Sequence, residues 1–320
     1  MEAQRRTWER NKRRQSGKEG MEEESMEERR LTEIGEKTTQ LYPENACMGQ
    51  ELGAGDVDQE KESTGTERKG CFAGVDGCPG GWVAIELGSG GRWRGGVYPE
   101  LEELWESYAG AEMLLIDMPI GLPEGPEPRP CDGGARRLLK PWRASSIFPA
   151  PVRGVLAAAS YTEANRSHRE LSGRGLSRQS WALVPKIREL DALLQREPAA
   201  GQRIFEAHPE LSFAGLAGAP MRSRKKTAEG FTERMEVLRG FLPEADLIVA
   251  ELMARYPRKL VARDDIVDAL VLAAAAAAAG SRERLSRVPE ADSRDATGLP
   301  MAIVYYAAEG QAAHREDPHH

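Results

Sequence analysis

The sequence predicts a mixed α/β fold, with a central sheet, flanking helices and helical insertions. Three observations predict it. Two short apolar runs, "CFAGVDG" from Cys71 and "EMLLIDMPIGLP" from Glu112, each reach an aspartate and then residues that force a turn. Between and after them, stretches such as "PELEELWESYAG" and "DLIVAELMARY" carry apolar residues at helical spacing. Near the end, "ARDDIVDALVLAAAAAAAG" (Ala262–Gly280) reads as a long helix built to be buried, with carboxylates in its first turns.

Residues 1–69 stand apart. Arg5–Lys18 is mostly basic, "EGMEEESMEERR" is mostly acidic, and apolar residues are sparse and aperiodic, which predicts a disordered charged tail. The folded domain is expected over 70–308, with a disordered tail at 309–320. "CFAGVDG" and "GWVAIELG" flank the turn "CPGG" and read as a hairpin, with "RGGVYP" a third strand. "PELEELWESYAG" places Leu101, Leu104, Trp105 and Tyr108 on one helix face, stopped by Gly110. The unbroken apolarity of "MLLI" suits a strand buried on both faces, adjacent and parallel to the first. Pro123–Pro151 reads as a long loop with a short helix around Asp132–Leu139. "YTEANRSHREL" and "SRQSWALVPKIRELDALLQ" read as helices, the second started or interrupted near Pro185. "QRIFEAHPELSF" reads as a strand running into a turn, "TERMEVLRGFL" and "DLIVAELMARY" as helices, and "MAIVYYA" as a final strand.

Composition narrows the function. The hydrophobic share is 40% and the formal net charge is -7, which disfavours coating nucleic acid by bulk electrostatics while leaving room for local basic patches. The four cysteines form no close ligand pairs or disulfide framework, and a reducing cytoplasm suits them. No apolar run is long enough to span a bilayer, so no membrane partner is expected. His168, Cys78 and Cys131 lack the spacing of a metal site.

The carboxylates are the chemical signal. Ligands of open α/β sheets bind beyond the carboxyl ends of parallel strands, so Asp76 and Asp117 would meet at one mouth. In "DDIVDAL", Asp265 and Asp268 are three apart and Asp264 and Asp268 four apart, which puts them on one helix face. Capping explains Asp264 and a favourable dipole explains Asp265. Asp268 lies a turn deeper, where its neighbours repel it and a bound cation would reverse that cost. Asp76, Asp117, Asp265 and Asp268 form the oxygen inventory for Mg²⁺ or Mn²⁺, including a two-ion site for phosphodiester displacement.

At these residues the chain resembles the predicted nucleases with a ribonuclease H-like fold known as domain-of-unknown-function family 429. The stretches that carry the resemblance are "GVDGCPGGW", "LLIDMPIGLP", "RPCDGGARR", "SSIFPAP", "VPKIRELD", "FEAHPELSF", "KKTAEG" and "DDIVDALVLA", over about residues 71–280. The wider superfamily has an aspartate on its first strand, an acid on its fourth and one or two acids at the start of its last helix. The resemblance thus implies Asp76, Asp117, Asp265 and Asp268 as catalytic metal ligands. Glu206 is an auxiliary candidate as an outer ligand and His208 as a proton relay, with a buried structural role the alternative for His208 and a cap the reading for Glu210.

Substrate phosphate would need cations. The candidates are Arg136, Arg137, Lys186, Arg188, Lys225 and Lys226, together with Arg129, Lys140 and Arg143; "RSRKK" at Arg222–Lys226 is the densest run. No zinc finger, helix-turn-helix or aromatic-interleaved basic motif is evident, so sequence-specific DNA reading is not expected. Three functions compete. The first is a divalent-metal-dependent nuclease acting on DNA or RNA. The second is a non-catalytic ribonuclease H-like module that binds metal or nucleotide. The third is a phosphotransferase of the actin-like or sugar-kinase type, to whose first phosphate loop "GVDGCPGG" bears a weak likeness, though no second Gly-rich phosphate loop follows.

Overall fold

The computed structural model describes residues 70–308; the expected tails at 1–69 and 309–320 lie outside the described residues. A five-stranded sheet runs in the order β3-β2-β1-β4-β5, where β1 is Phe72–Cys78, β2 Gly81–Leu87, β3 Trp93–Tyr98, β4 Met113–Ile116 and β5 Ile204–Glu206. β1, β2 and β3 form an antiparallel meander, while β4 pairs parallel to β1 and β5 parallel to β4. The hairpin, the third strand and the parallel pairing therefore follow the sequence reading. Pairing of β1 with β2 continues past Asp76 to Cys78 and Gly81, so Asp76 lies within the strand and not at its end.

Period-2 alternation divides the core between the two faces of the sheet. Ala73, Val75, Trp82, Leu114 and Ile116 pack with α1 (Leu101–Tyr108) and α4 (Arg178–Arg196). Phe72, Cys78, Val83, Ile85, Met113 and Leu115 pack with α7 (Ala228–Phe241), α8 (Ala245–Arg255) and α9 (Arg263–Ala279). Between these lie α2 (Pro130–Leu138), α3 (Tyr161–Ser172), the short α5 (Pro198–Arg203) and α6 (Pro209–Ala217). α4 runs unbroken through Pro185, and the stretch after β5, expected as a turn, forms α6. β7 (Ile303–Tyr306) is the expected final strand. It pairs antiparallel with β6 (Leu285–Val288), a strand too polar to stand out in the sequence. Among the described residues no helix is long and apolar enough to cross a membrane.

α9 lies directly on β1, and a glycine makes this possible. A Cβ on Gly74 would sit 2.1 Å from the Ala269 carbonyl oxygen and 2.2 Å from the Ala273 nitrogen. The helix contributes Ala269, Ala273 and Ala276 to the same core, and these small side chains allow its backbone to approach. Its first turns are thereby pressed against the strand that carries Asp76.

Gly74→Ala should therefore lower stability by at least about 2 kcal/mol, within the usual range for overpacking a filled core. Urea unfolding measures it; a loss under about 0.5 kcal/mol would show that α9 is not held this close.

Candidate acidic site

Register brings the first two aspartates together. β1 and β4 pair in parallel from Phe72↔Met113 to Val75↔Ile116, and the Asp117 amide donates to the Val75 carbonyl at 2.9 Å. One step further on, Asp76 and Asp117 are neighbours. Both continue the face of Phe72 and Met113, which is the face covered by α9. Asp268, 2% exposed in the second turn of α9, comes down on the same spot.

The electrostatics record the crowding. Burial pushes the Asp76 carboxyl well up, with Asp117, Asp268 and Asp265 adding to the rise. Burial raises Asp117 to about 7, against the pull of Lys225 and helped by the Glu210 charge. Asp268 rises to about 6, again through burial first, with Lys225 opposing and Asp117 and Asp264 contributing. Asp265 is also raised by burial and by Asp264, but its carboxylate accepts a 3.0 Å hydrogen bond from the Ala262 amide and so caps α9. Asp264 is the second residue of the helix, not its cap; the N-cap position is Ala262.

A lysine stands among these acids. Lys225 Nζ donates to Asp268 Oδ2 at 2.5 Å. Burial alone would lower its pKa, but Asp268, Asp76 and Asp117 hold it above the ordinary lysine value. The expected phosphate contact is thus, in this structure, the counter-cation of the cluster. Asp76 accepts one hydrogen bond, from the Gly77 amide, and the Asp117 carboxylate accepts none among the described residues.

Two further groups face this cluster. His208 is the N-cap of α6: its Nδ1 accepts from the Glu210 amide at 3.2 Å, and the Ser146 backbone lies near enough to its ring to favour the charged form. Burial lowers its pKa, against the charges of Glu210 and Asp268. Glu210 is the residue that sequence reasoning placed too modestly, as a cap. One of its oxygens takes a 2.5 Å ion pair from the buried Arg234, while the other, also buried, has no hydrogen-bond partner. The signal for it was a carboxylate two residues after His208 inside an apolar run.

Glu206 does not join the site. It pairs in register with Ile116, so alternation turns it to the opposite face of the sheet from Asp117. There it forms a two-pronged ion pair with Arg129, at 2.7 and 2.8 Å, and accepts the Ile120 amide at 2.7 Å. Arg129 also bonds Asp132 at 2.6 Å and the carbonyls of Ile120 and Gly121, so it is a structural cation and not a phosphate contact. Among the described residues, the group of metal-capable side chains whose ligand atoms all lie within 4.8 Å of one another is Cys131, Asp132 and Glu206. Arg129 already fills that group with positive charge, and burial pushes the Cys131 thiol far up and keeps it protonated, so it suits a metal poorly. Asp76, Asp117 and Asp268 do not close to that distance here, and Lys225 stands among them.

Other expected phosphate contacts are also spent. Arg136 donates through Nε and Nη2 to the Ile147 carbonyl, and Arg188 donates to the carbonyls of Leu156 and Ala158; both fasten loops. Lys186 donates to the Gly81 carbonyl, with its ammonium 4.8 Å from the Trp82 ring centre and its side chain beside Gly77 of β1. Arg137 and Lys226 are exposed.

Two outcomes follow. Arg129→Met strands two buried carboxylates and should cost about 3–5 kcal/mol in urea unfolding; a cost below about 1 kcal/mol would contradict the structural assignment. Folded Asp117 holds its proton to about 7, whereas the unfolded chain releases it near 3.8, so the folded state binds more protons between these values and stability falls as pH rises. Wild type should thus lose stability relative to Asp117→Asn from about pH 4 to about pH 7; a flat or opposite difference would remove Asp117 from the cluster.

No curated protein and no solved structure matches the chain significantly. One family matches residues 74–294, a span that holds Asp76, Asp117, His208, Glu210, Lys225, Asp265 and Asp268. The chain belongs to the family described as "Protein of unknown function (DUF429)".

Proposed function

We propose that this domain has a ribonuclease H-like fold and hydrolyses phosphodiester bonds of nucleic acid with Mg²⁺ or Mn²⁺ held by its acidic cluster. The observation that carries this reading is the register of β1 on β4, which sets Asp76 beside Asp117 beneath Asp268 of α9. The resemblance asks for acids on the first strand, on the fourth and at the start of the last helix, and the five-stranded mixed sheet is consistent with that scheme.

The donor set fits a hard divalent ion. It consists of the carboxylate oxygens of three aspartates, all three are raised by burial first and by neighbouring carboxylates second, and Asp117 has no hydrogen bond to give up. Asp76, Asp117 and Asp268 would hold the ion, with Asp265 at the rim. Bound there, it would stabilise charge developing on a phosphate. The chain's own groups do the rest. Lys225, once released from Asp268, has the charge and reach to meet a phosphate oxygen. Glu210 adds negative charge beside Asp117, and Arg234 fixes its orientation. His208, whose Nδ1 is taken up by the Glu210 amide, holds the start of α6 beside the cluster.

A second reading rests on the Lys225–Asp268 pair. A cluster that carries its own cation could serve as a non-catalytic binding module. Asp268→Asn separates the two. For a nuclease, wild type gains melting temperature with Mn²⁺ and cleaves oligonucleotides. The variant then loses most of the Mn²⁺ gain and at least about 100-fold in cleavage, beyond the loss of an outer-shell partner. Its metal-free stability should stay within about 1 kcal/mol of wild type, because a partly exposed partner lysine can return to water. Equal Mn²⁺ shifts in both proteins would remove Asp268 from the site. A shift without cleavage would favour the binding module.

A further inference from the structure

We propose that the surface made by residues 139–149 and 221–226 binds single-stranded nucleic acid beside the acidic cluster; the inference rests on the nuclease reading and names its substrate class. The first observation is charge. The formal charge of the whole chain is -7 with 51 acidic residues, yet no Asp or Glu occurs from Gly133 to Thr162 or from Leu211 to Ala228. These two acid-free stretches are joined: Arg143 Nη2 donates to the Arg222 carbonyl at 2.8 Å. Arg137, Lys140, Arg222, Arg224 and Lys226 are exposed, and none of them has an ion-pair partner among the described residues.

The second observation is aromatic. Trp142 is 53% exposed and Phe148 47%, the two most exposed large apolar side chains among the described residues. Their exposure does not come from a loose loop. Between them Ile147 is buried against Leu139 and Leu211, its carbonyl is held by Arg136, and the Ala150 amide donates to Asp132 at 3.2 Å. The fold thus spends hydrogen bonds and core contacts on a segment that presents two rings to water.

The third observation is continuity with the site. Ser146, between the two rings, meets His208 through its backbone, and Lys225, in the second stretch, reaches Asp268. A strand lying on this surface would have phosphates on the arginines and lysines, and its next phosphate at the acids. Unpaired bases have free faces for Trp142 and Phe148, which is how proteins grip single strands without reading sequence. Bases stacked within a duplex offer no such face, and a peptide partner would need carboxylates to match this charge.

The test uses the full chain in EDTA, so that binding is separated from cleavage. Labelled oligothymidylate, oligouridylate and a DNA duplex of equal length are titrated by fluorescence anisotropy against wild type, Trp142→Ala/Phe148→Ala, and Phe241→Ala, an exposed aromatic elsewhere, on α7. Wild type and Phe241→Ala should bind one or both single strands at least about tenfold better than duplex. The double variant should lose at least about tenfold for the single strands while keeping the wild-type melting temperature. Binding should weaken with salt, as phosphate contacts require. Equal affinity of the double variant and wild type, duplex binding as tight as single-strand binding, or no binding to any of the three overturns the proposal. Cleavage with Mn²⁺ by a double variant whose binding is unchanged would overturn this surface and leave the acidic site standing; single-strand binding without cleavage would do the reverse.

Discussion

The close approach of α9 to β1 is the constraint from which the rest of the structure follows. A helix ordinarily packs on a sheet through its side chains. Here the Gly74 backbone meets the backbone of α9 at Ala269 and Ala273, with nothing between them. The alanine run is what a helix needs to lie so low, and it explains why a stretch with little amphipathic character is buried almost all round. One position before Ala269 on that helix is Asp268, and two residues after Gly74 on that strand is Asp76. At a wider layer spacing the two carboxylates would lie farther apart and feel each other's charge less.

Close packing brings charge with it. Asp76, Asp117 and Asp268 share a face with little water, and Glu210 adds to the field from α6. Left alone, such a cluster opposes folding, since each buried carboxylate must give up hydration and face its neighbours. The structure offsets this in two ways: partial protonation, recorded in the raised pKa values of Asp117 and Asp268, and the ammonium of Lys225. Both are exchangeable. A proton leaves as pH rises, and a partly exposed lysine can swing away, so the cluster is built of groups that a stronger cation can displace.

Much of this was legible in the sequence because it depends on period and register. An apolar run ending in aspartate, twice, identified β1 and β4, and parallel pairing then required Asp76 and Asp117 to be neighbours. The spacing of Asp265 and Asp268 identified the helix face. Glu206 misled because its distance from the site is a matter of parity: one residue along β5, alternation sends its side chain to the far face, and no property of "IFEAH" alone fixes that parity. Arg129 misled because a buried arginine and a solvated one look alike until the carboxylates around it are known. Lys225 was found for its charge but not for its partner, which lies 43 residues away. The exposure of Trp142 and Phe148 could not be read at all, since "WRASSIF" carries no period and its orientation depends on where Ile147 finds the core.

The two buried ionic centres divide the work. On one face of the sheet, Arg129 ties Glu206 of β5 to Asp132 of α2 and to the chain just beyond β4, and Asp132 in turn holds the Ala150 amide. Both carboxylates there are paired, and both ends of the long insertion are fastened by them. On the other face, carboxylates outnumber cations: a buried oxygen of Glu210 lacks a partner, and the Asp117 carboxylate accepts no hydrogen bond among the described residues. A satisfied network rigidifies, whereas an unsatisfied one carries a cost that a ligand can relieve. The insertion that the first centre pins is the segment that carries Trp142, Phe148 and the Ser146 contact to His208. Rigidity on one face is therefore what sets the position of the surface that borders the reactive site on the other.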